Sequence, residues 1–572
     1  MSTIGKICWV IALSTISMRP IFCQVQTQTT DKLAASVSPP AKVGTVEDAI
    51  DRIIAREHDQ VTAIKLYKPI IETYLQEVKL DKDSGTIPTH DAYFLGQADL
   101  GKGVLTHSML VRHNSDVIKD GFRDSYVHAG FLQEIFLDAT GFDRQHYQFE
   151  YSGREFLGEV RCVVFDVTPL PKSGKARFTG RIWVEDQQFT IVRFNGIFGR
   201  VDPKYAGGFN YSHFDSWRAN VQPGLWLPAY IFTQELNLKY AVIGGHLRFK
   251  AQTRLWGYNL TSEHRQAEFS SITIESPDAV QELTDSQRQD RSPLDSTREW
   301  RRQAEVNVID GLQRVGLLAP PGEVDKVLDT VVNNLELTNN LDAEFHCRIA
   351  TVGTFEMFTI GRMIVLSRGL VDVLPDEATL AAMLAVAISD ALVPKPLADQ
   401  YGFSDFARVP AEKALARFSF KGTKEEVESA NQRALELLRN SPYKDKLGSA
   451  GLFLKQLNAE SKSLSALINP RLGNSVFLAS QLKDSAPELE PHKLDQIAAL
   501  PIGARVKLDP WSDRVELLKT RTAPLTSARE KMPFEVTPFM PFLTRFQPPA
   551  EALNGKSAAL TGKQERDVNP NP

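Results

Sequence analysis

Cysteine is scarce in this chain of 572 residues, which holds 4. Cys8 and Cys23 fall in the first two dozen residues, so only Cys162 and Cys347 remain and at most one bridge can form. Each of those two sits in an apolar, strand-like run ("EVRCVVFDV", "EFHCRIATV"), which predicts a buried free thiol in place of a disulfide. Charge of one sign is missing too. The formal net charge is −4, and no Lys/Arg-rich run offers a surface for nucleic acid. Beyond the N-terminus no stretch of 18 apolar residues occurs, which argues against a spanning helix in the mature protein. Histidine is thin where a metal site would need it: between residues 300 and 500 only His346 and His492 are present.

What is there reads as a folded protein of several domains, 42% hydrophobic and 24% charged. Residues 1–23 have Lys6 ahead of a short apolar stretch, the layout of a secretory signal peptide, with cleavage expected after Ser17 or Cys23. The predicted location is therefore periplasmic or extracellular. Residues 24–44 read as a flexible leader and 45–84 as a helical segment, started by a Thr45/Asp48 capping box and carrying an apolar stripe from Ile50 to Val78.

From 85 to 258 the pattern changes. Seven short runs rich in β-branched and aromatic residues, from "YQFEYSG" to "HLRFKAQTRLWGY", alternate with tight turns such as "VQPG". They predict an antiparallel meander too wide to stay flat. By alternation Phe165, Ile182, Val184, Ile191, Phe232 and Phe249 share one apolar face. Residues 259–296 form a polar linker, 297–484 a mainly helical domain, 485–550 a C-terminal extension, and 551–572 a polar tail expected to be disordered. The fold class is α+β: a curved antiparallel sheet, or half-barrel, followed by a helical domain.

The order of the 85–257 meander, with "GRIWVEDQQFTIVRFNG" at its centre, resembles the LolA/LolB-like lipoprotein carriers. That resemblance implies a sheet enclosing an apolar cavity, with a lipid or acyl chain as ligand. "MIVLSRGLVDVLPDEATLAAMLAVAISDAL" (363–392), followed by "VESANQRALELL", resembles the core of the gluzincin metallopeptidases of the CAAX prenyl protease, HtpX and BepA type, over about residues 305–470. In that family two histidines at i and i+4 bind zinc, a glutamate beside the first polarises the metal-bound water, and a second helix supplies a third ligand. The matching positions here are Val386, Ala387, Asp390 and Val427, with Asn431 where a supporting aspartate belongs. Val and Ala neither bind a cation nor move a proton.

The reading is thus an exported protein with an inactive peptidase-like domain, needing no cofactor and acting in peptide, protein or lipid binding. The partner implied by the family is an extended peptide or unfolded envelope protein, added as a strand along "RMIVLS". Two alternatives stay open. One is an active metallopeptidase with a rebuilt zinc site of Asp390, Glu428 and His346; the other is a lipid or lipoprotein carrier whose peptidase-like part is structural. Weaker candidates are His107, His113 and His128 in the meander, the "HFDSW" pair His213 and Asp215, and the glycine pairs at 207–208 and 244–245, which lack a phosphate-loop frame.

Overall fold

The computed structural model describes residues 45–81, 85–101, 105–109, 131–174, 177–199, 213–239, 246–261, 293–342, 344–393, 420–474, 482–483, 486–518, 528 and 534–546. Thr45 caps helix α1 (Val46–Ile64) through the capping box read from sequence, and the helix buries Ile50, Ile53, Val61 and Ile64 on one side. The helix stops there. Residues 45–84 were expected to be helical throughout, but Pro69 interrupts and Ile70–Asp81 is strand β1. Ile71, Leu75 and Val78 fit a helical stripe, yet Ile71, Thr73 and Leu75 also alternate, and pairing on both sides decides for the strand.

β1 is followed by β2 (Gly85–Asp99), β3 (Leu105–Ser108), β4 (Tyr147–Leu157), β5 (Val160–Pro169), β6 (Phe178–Glu185), β7 (Ile191–Phe198), β8 (His213–Gln222), β9 (Leu225–Lys239) and β10 (His246–Trp256). The seven strands expected from sequence are β4 to β10. All ten form one antiparallel sheet in the order β3-β2-β1-β10-β9-β8-β7-β6-β5-β4, so β3 and β4 are its two edges and it is not closed into a barrel. The "VQPG" turn joins β8 to β9, with Gly224 at φ +74° where a side chain would be strained.

Both faces are covered. On one face α1 and the 131–136 segment pack Val61, Ile64 and Leu132 against Ile71, Phe94, Ile231 and Phe249. Glu57 of α1 reaches through to Arg218 on β8, at 2.6 and 2.7 Å, and neither side chain is accessible. Of the six residues predicted to share a face, Phe232 is on the other one. Thr233 pairs with Ala251, two residues from Phe249, whereas Phe232 pairs with Gln252. Bulges in β8, β9 and β10 break the simple alternation.

The second half contributes α2 (Pro293–Arg314), α3 (Glu323–Thr338), β11 (His346–Ala350), β12 (Met357–Ile360), β13 (Met363–Ser367), α4 (Arg368–Val373), α5 (Glu377–Ala391), α6 (Lys424–Arg439), α7 (Leu447–Glu460) and α8 (Ser465–Ile468). α5 is apolar nearly all round because α3, α6, α7, β12 and β13 enclose it. Most of the 259–296 linker read from sequence lies outside the described residues. The core of this half is continuous with the other face of the sheet, where Tyr74, Trp217, Tyr230 and Trp256 join Leu317, Phe355 and Leu370. Polar joints reinforce that seam: Glu72 on β1 accepts from Arg368 at 2.6 Å, and Asp91 on β2 accepts the backbone N–H groups of Ala466 and Leu467, each at 2.8 Å. The extension read at 485–550 lays residues 534–546 across the same face as a strap. Val536 N donates to Gln76 at 2.8 Å, Phe546 N to Asn220 at 2.8 Å, and Glu159 N to the Leu543 carbonyl at 2.9 Å. Residues 45–572 form one compact unit. Among the described residues no helix is long and apolar enough to cross a membrane.

Candidate functional site

Asp376 caps α5, accepting from Thr379 N at 2.7 Å, and sets the helix going toward "VAISD". Val386 and Asp390, one turn apart, face the same way with Ala387 beside them, and α6 brings Val427 and Ala430 opposite. Met357, Phe358 and Thr359 of β12 complete the wall, and together they leave a void of about 20 Å³, room for one water at most. Thr359 Oγ1 donates to Asp390 Oδ2 at 3.0 Å. Asn431 is buried one turn further along α6. Val386, Ala387, Asp390 and Val427 therefore line one small void. The rebuilt set does not gather there: Glu428 is exposed, and His346 is exposed with Nε2 3.8 Å from Glu344. Among the described residues no group of three His, Cys, Asp or Glu is placed to hold a metal ion.

Strand addition along "RMIVLS" is ruled out by topology. β13 is the central strand of the order β11-β13-β12, parallel to β11 and antiparallel to β12, so its hydrogen bonds are already spent. The edge placement came from the family resemblance, whereas pairing on both sides accounts for the apolar character of this run. The outer edges are partly engaged as well: Met357 O of β12 accepts from Asn474 N at 3.3 Å, and Ile349 O of β11 from Ala319 N at 2.8 Å.

The lesser candidates separate. Asp215 binds the Arg193 guanidinium with both oxygens, at 2.8 and 2.9 Å, while His213 Nε2 contacts Asn195 Oδ1 at 2.9 Å. His107 lies on β3; His113, His128 and both glycine pairs fall outside the described residues. Cys162 and Cys347 are buried free thiols, and burial first, then the nearby Glu185 carboxylate, pushes the Cys162 thiol up to about 12.

A roomier site lies elsewhere, and nothing in the local sequence announces it. Between the sheet, α4 and the strap is a cavity of about 470 Å³, within the range that takes a drug-sized ligand. Its sheet wall carries Tyr74, Trp217, Tyr230, Gln252, Arg254 and Trp256. Phe355, Asp372 and residues 501–510 close it from the helical half, and Phe534, Phe539 and Leu543 from the strap. The wall combines aromatic and aliphatic surface with charged side chains, Arg254, Arg368, Asp372, Lys507, Asp509 and Glu535 among them. Among the acids that line it, Asp372 already accepts from Ala504 N, Arg505 N and Val506 N at 2.6–3.1 Å. Asp509 accepts from Trp511 N and Ser512 N, and Glu535 takes Lys250 and Thr86. Chemically the cavity offers apolar surface and cations.

No family model matches the sequence, and no curated protein matches it. Among solved structures the chain is similar to a DUF1329 family protein from Desulfovibrio piger, at 11% identity over 40% of this chain and 98% of that one, with a TM-score of 0.20. It is also similar to a LolA superfamily protein from Nitrosomonas europaea (12% identity, 37% of this chain, 92% of that one, TM-score 0.17). An outer membrane lipoprotein-sorting protein domain from Vibrio parahaemolyticus gives 12% identity, 37% and 91% coverage, and a TM-score of 0.17. At such scores the likeness decides nothing about the site, whose reading rests on its own residues.

Proposed function

We propose that this is an exported envelope protein that binds an apolar ligand of the acyl-chain class in the cavity between sheet and strap, and acts as a carrier or binding protein. The observation that carries the reading is the cavity itself: about 470 Å³ walled by Trp217, Trp256, Tyr230, Phe355 and Phe539. Each methylene moved from water into such a space contributes about 0.8 kcal/mol, so a long acyl chain binds firmly without a polar motif. The ligand space differs from the one the sequence suggested, because α1 fills the face that carries Phe165, Ile182 and Phe249. Protein purified without detergent should release acyl lipid on solvent extraction, seen by native mass spectrometry as a mass excess. Ala229→Trp, which puts an indole on the cavity wall, should cut that lipid at least about tenfold without unfolding the protein. Lipid-free wild-type protein, or undiminished lipid in the variant, would defeat the proposal.

A second reading concerns the helical half, which we infer to be a peptidase-like core that has lost its metal. It is supported by the meeting of Val386, Ala387, Asp390 and Val427 around one void of about 20 Å³. Three of the four side chains are apolar, and the fourth, Asp390, accepts from Thr359 Oγ1 at 3.0 Å. Metal analysis should find far less than one zinc per chain, whereas the combined variant Val386→His, Ala387→Glu, Asp390→His and Val427→Glu should bind zinc. About one zinc per wild-type chain, lost on changing Asp390, would overturn this reading and reopen the enzymatic one.

A further inference from the structure

Arg254 sits on β10 between Glu72 of β1 and Tyr230 of β9, its register partners, on the face that walls the cavity. A guanidinium has five donors and does not lose its proton in a protein, so a buried one needs an anion. The adjacent carboxylate is taken. Glu72 accepts from Arg368 at 2.6 Å, from Tyr93 Oη at 2.8 Å and from Gly353 N. Asp215, on the same face of β8, is held by Nε and Nη2 of Arg193. The three acids of the far wall, Asp372, Asp509 and Glu535, are engaged as described above.

Arg254 is left with the Tyr230 ring, whose centroid is 5.9 Å from its guanidinium carbon, and its Nε is buried with no hydrogen-bond partner. Arg254 is partly exposed and lines the cavity. Burial, with the charge of Arg368 adding to it, pulls the guanidinium below arginine's ordinary value, against the opposing pull of the Glu72 and Asp372 carboxylates. Trp217 is 1% exposed and lines the same cavity, and its indole N–H likewise has no acceptor. Lys507 stands on the opposite wall and forms no ion pair among the described residues. Two residues of the cavity wall therefore each carry a buried donor without a partner, and the same wall holds two cations without an ion pair and aromatic surface for the rest of a ligand.

We propose that the ligand is an amphiphile with an oxyanionic head group, carboxylate or phosphate ester, bound by Arg254 with the acyl chain against the aromatic wall. The proposal rests on the apolar-ligand reading and makes it specific. Trp217 Nε1–H supplies a second donor to the same head, and Tyr230 backs the guanidinium plane as a cation–π surface. A neutral alcohol of equal chain length would fill the apolar space and leave the charge unmatched.

The test uses the delipidated full chain with three probes, hexadecanoate, hexadecyl phosphate and hexadecan-1-ol, titrated by calorimetry below their micellar concentrations. One or both anionic probes should bind at least about tenfold tighter than the alcohol, which is what a hydrogen-bonded charge contributes. The better of the two distinguishes a free fatty acid from a phospholipid head as the source. Arg254→Met should bring the anions within about twofold of the alcohol and leave the alcohol unchanged. Equal binding of all three to wild type, or an anion preference that survives in Arg254→Met, overturns the head-group proposal and keeps the apolar cavity. No binding of any probe overturns both.

Discussion

Glu57→Gln is expected to lower the unfolding free energy by about 3–5 kcal/mol, the largest single effect in the sheet half. Arg218 and Glu57 face each other across α1 and β8 with no accessible surface on either side chain, and Arg218 also donates to the Ile191 carbonyl at 3.1 Å. The pair gains little over a matched apolar pair, because both ions gave up water to form it. Removing only the carboxylate is different, since the guanidinium is then left charged and buried. A replacement of both, Glu57→Leu with Arg218→Met, should restore most of the lost stability. Urea unfolding reads this directly, the midpoint falling in the single variant and recovering in the double. The pair also bears on function: it anchors the helix that occupies the face the sequence had assigned to ligand. A loss below about 1 kcal/mol in the single variant would mean that α1 is not held in this way.

How much of this was legible can be followed residue by residue. The strands β4 to β10 were readable because their turns are tight and their β-branched and aromatic residues recur every second position. β1 was not, since Ile71, Leu75 and Val78 satisfy helical and extended spacing together, and only its neighbours β2 and β10 resolve the ambiguity. The placement of Phe232 failed at bulges, which flip every later side chain and leave no mark in composition. In the helical half the framing of "VAISD" picked out four positions that line one small void, because helix period fixes which residues share a face. The central place of β13 was missed because a run of apolar residues does not say whether its flanks are strands or solvent.

The cavity was invisible for a different reason. Arg254 in "QTRLW" looks like any charged residue alternating outward from a strand, and Lys507 belongs to a stretch 250 residues away. Only the strap and the helical half, folding back over that face, turn a surface arginine into an enclosed one. Long-range closure of this kind has no local signature.

That enclosure has a thermodynamic consequence. In lipid-free protein, Arg254→Met should be more stable than wild type by about 1–4 kcal/mol, the sign expected when an unmatched buried charge gives way to an apolar side chain of similar length. Most substitutions of buried residues go the other way, so the direction alone is informative. Hexadecanoate or hexadecyl phosphate should then reverse the ranking. A ligand that binds only the folded state adds about 2.7 kcal/mol at a hundredfold excess over its dissociation constant, and the anionic probes should add this to wild type and much less to the variant at the same concentration. Thermal unfolding with and without each probe measures both halves. A variant less stable than wild type without ligand would mean that Arg254 has found its counter-ion within the folded chain, and the anionic head group would lose its physical reason.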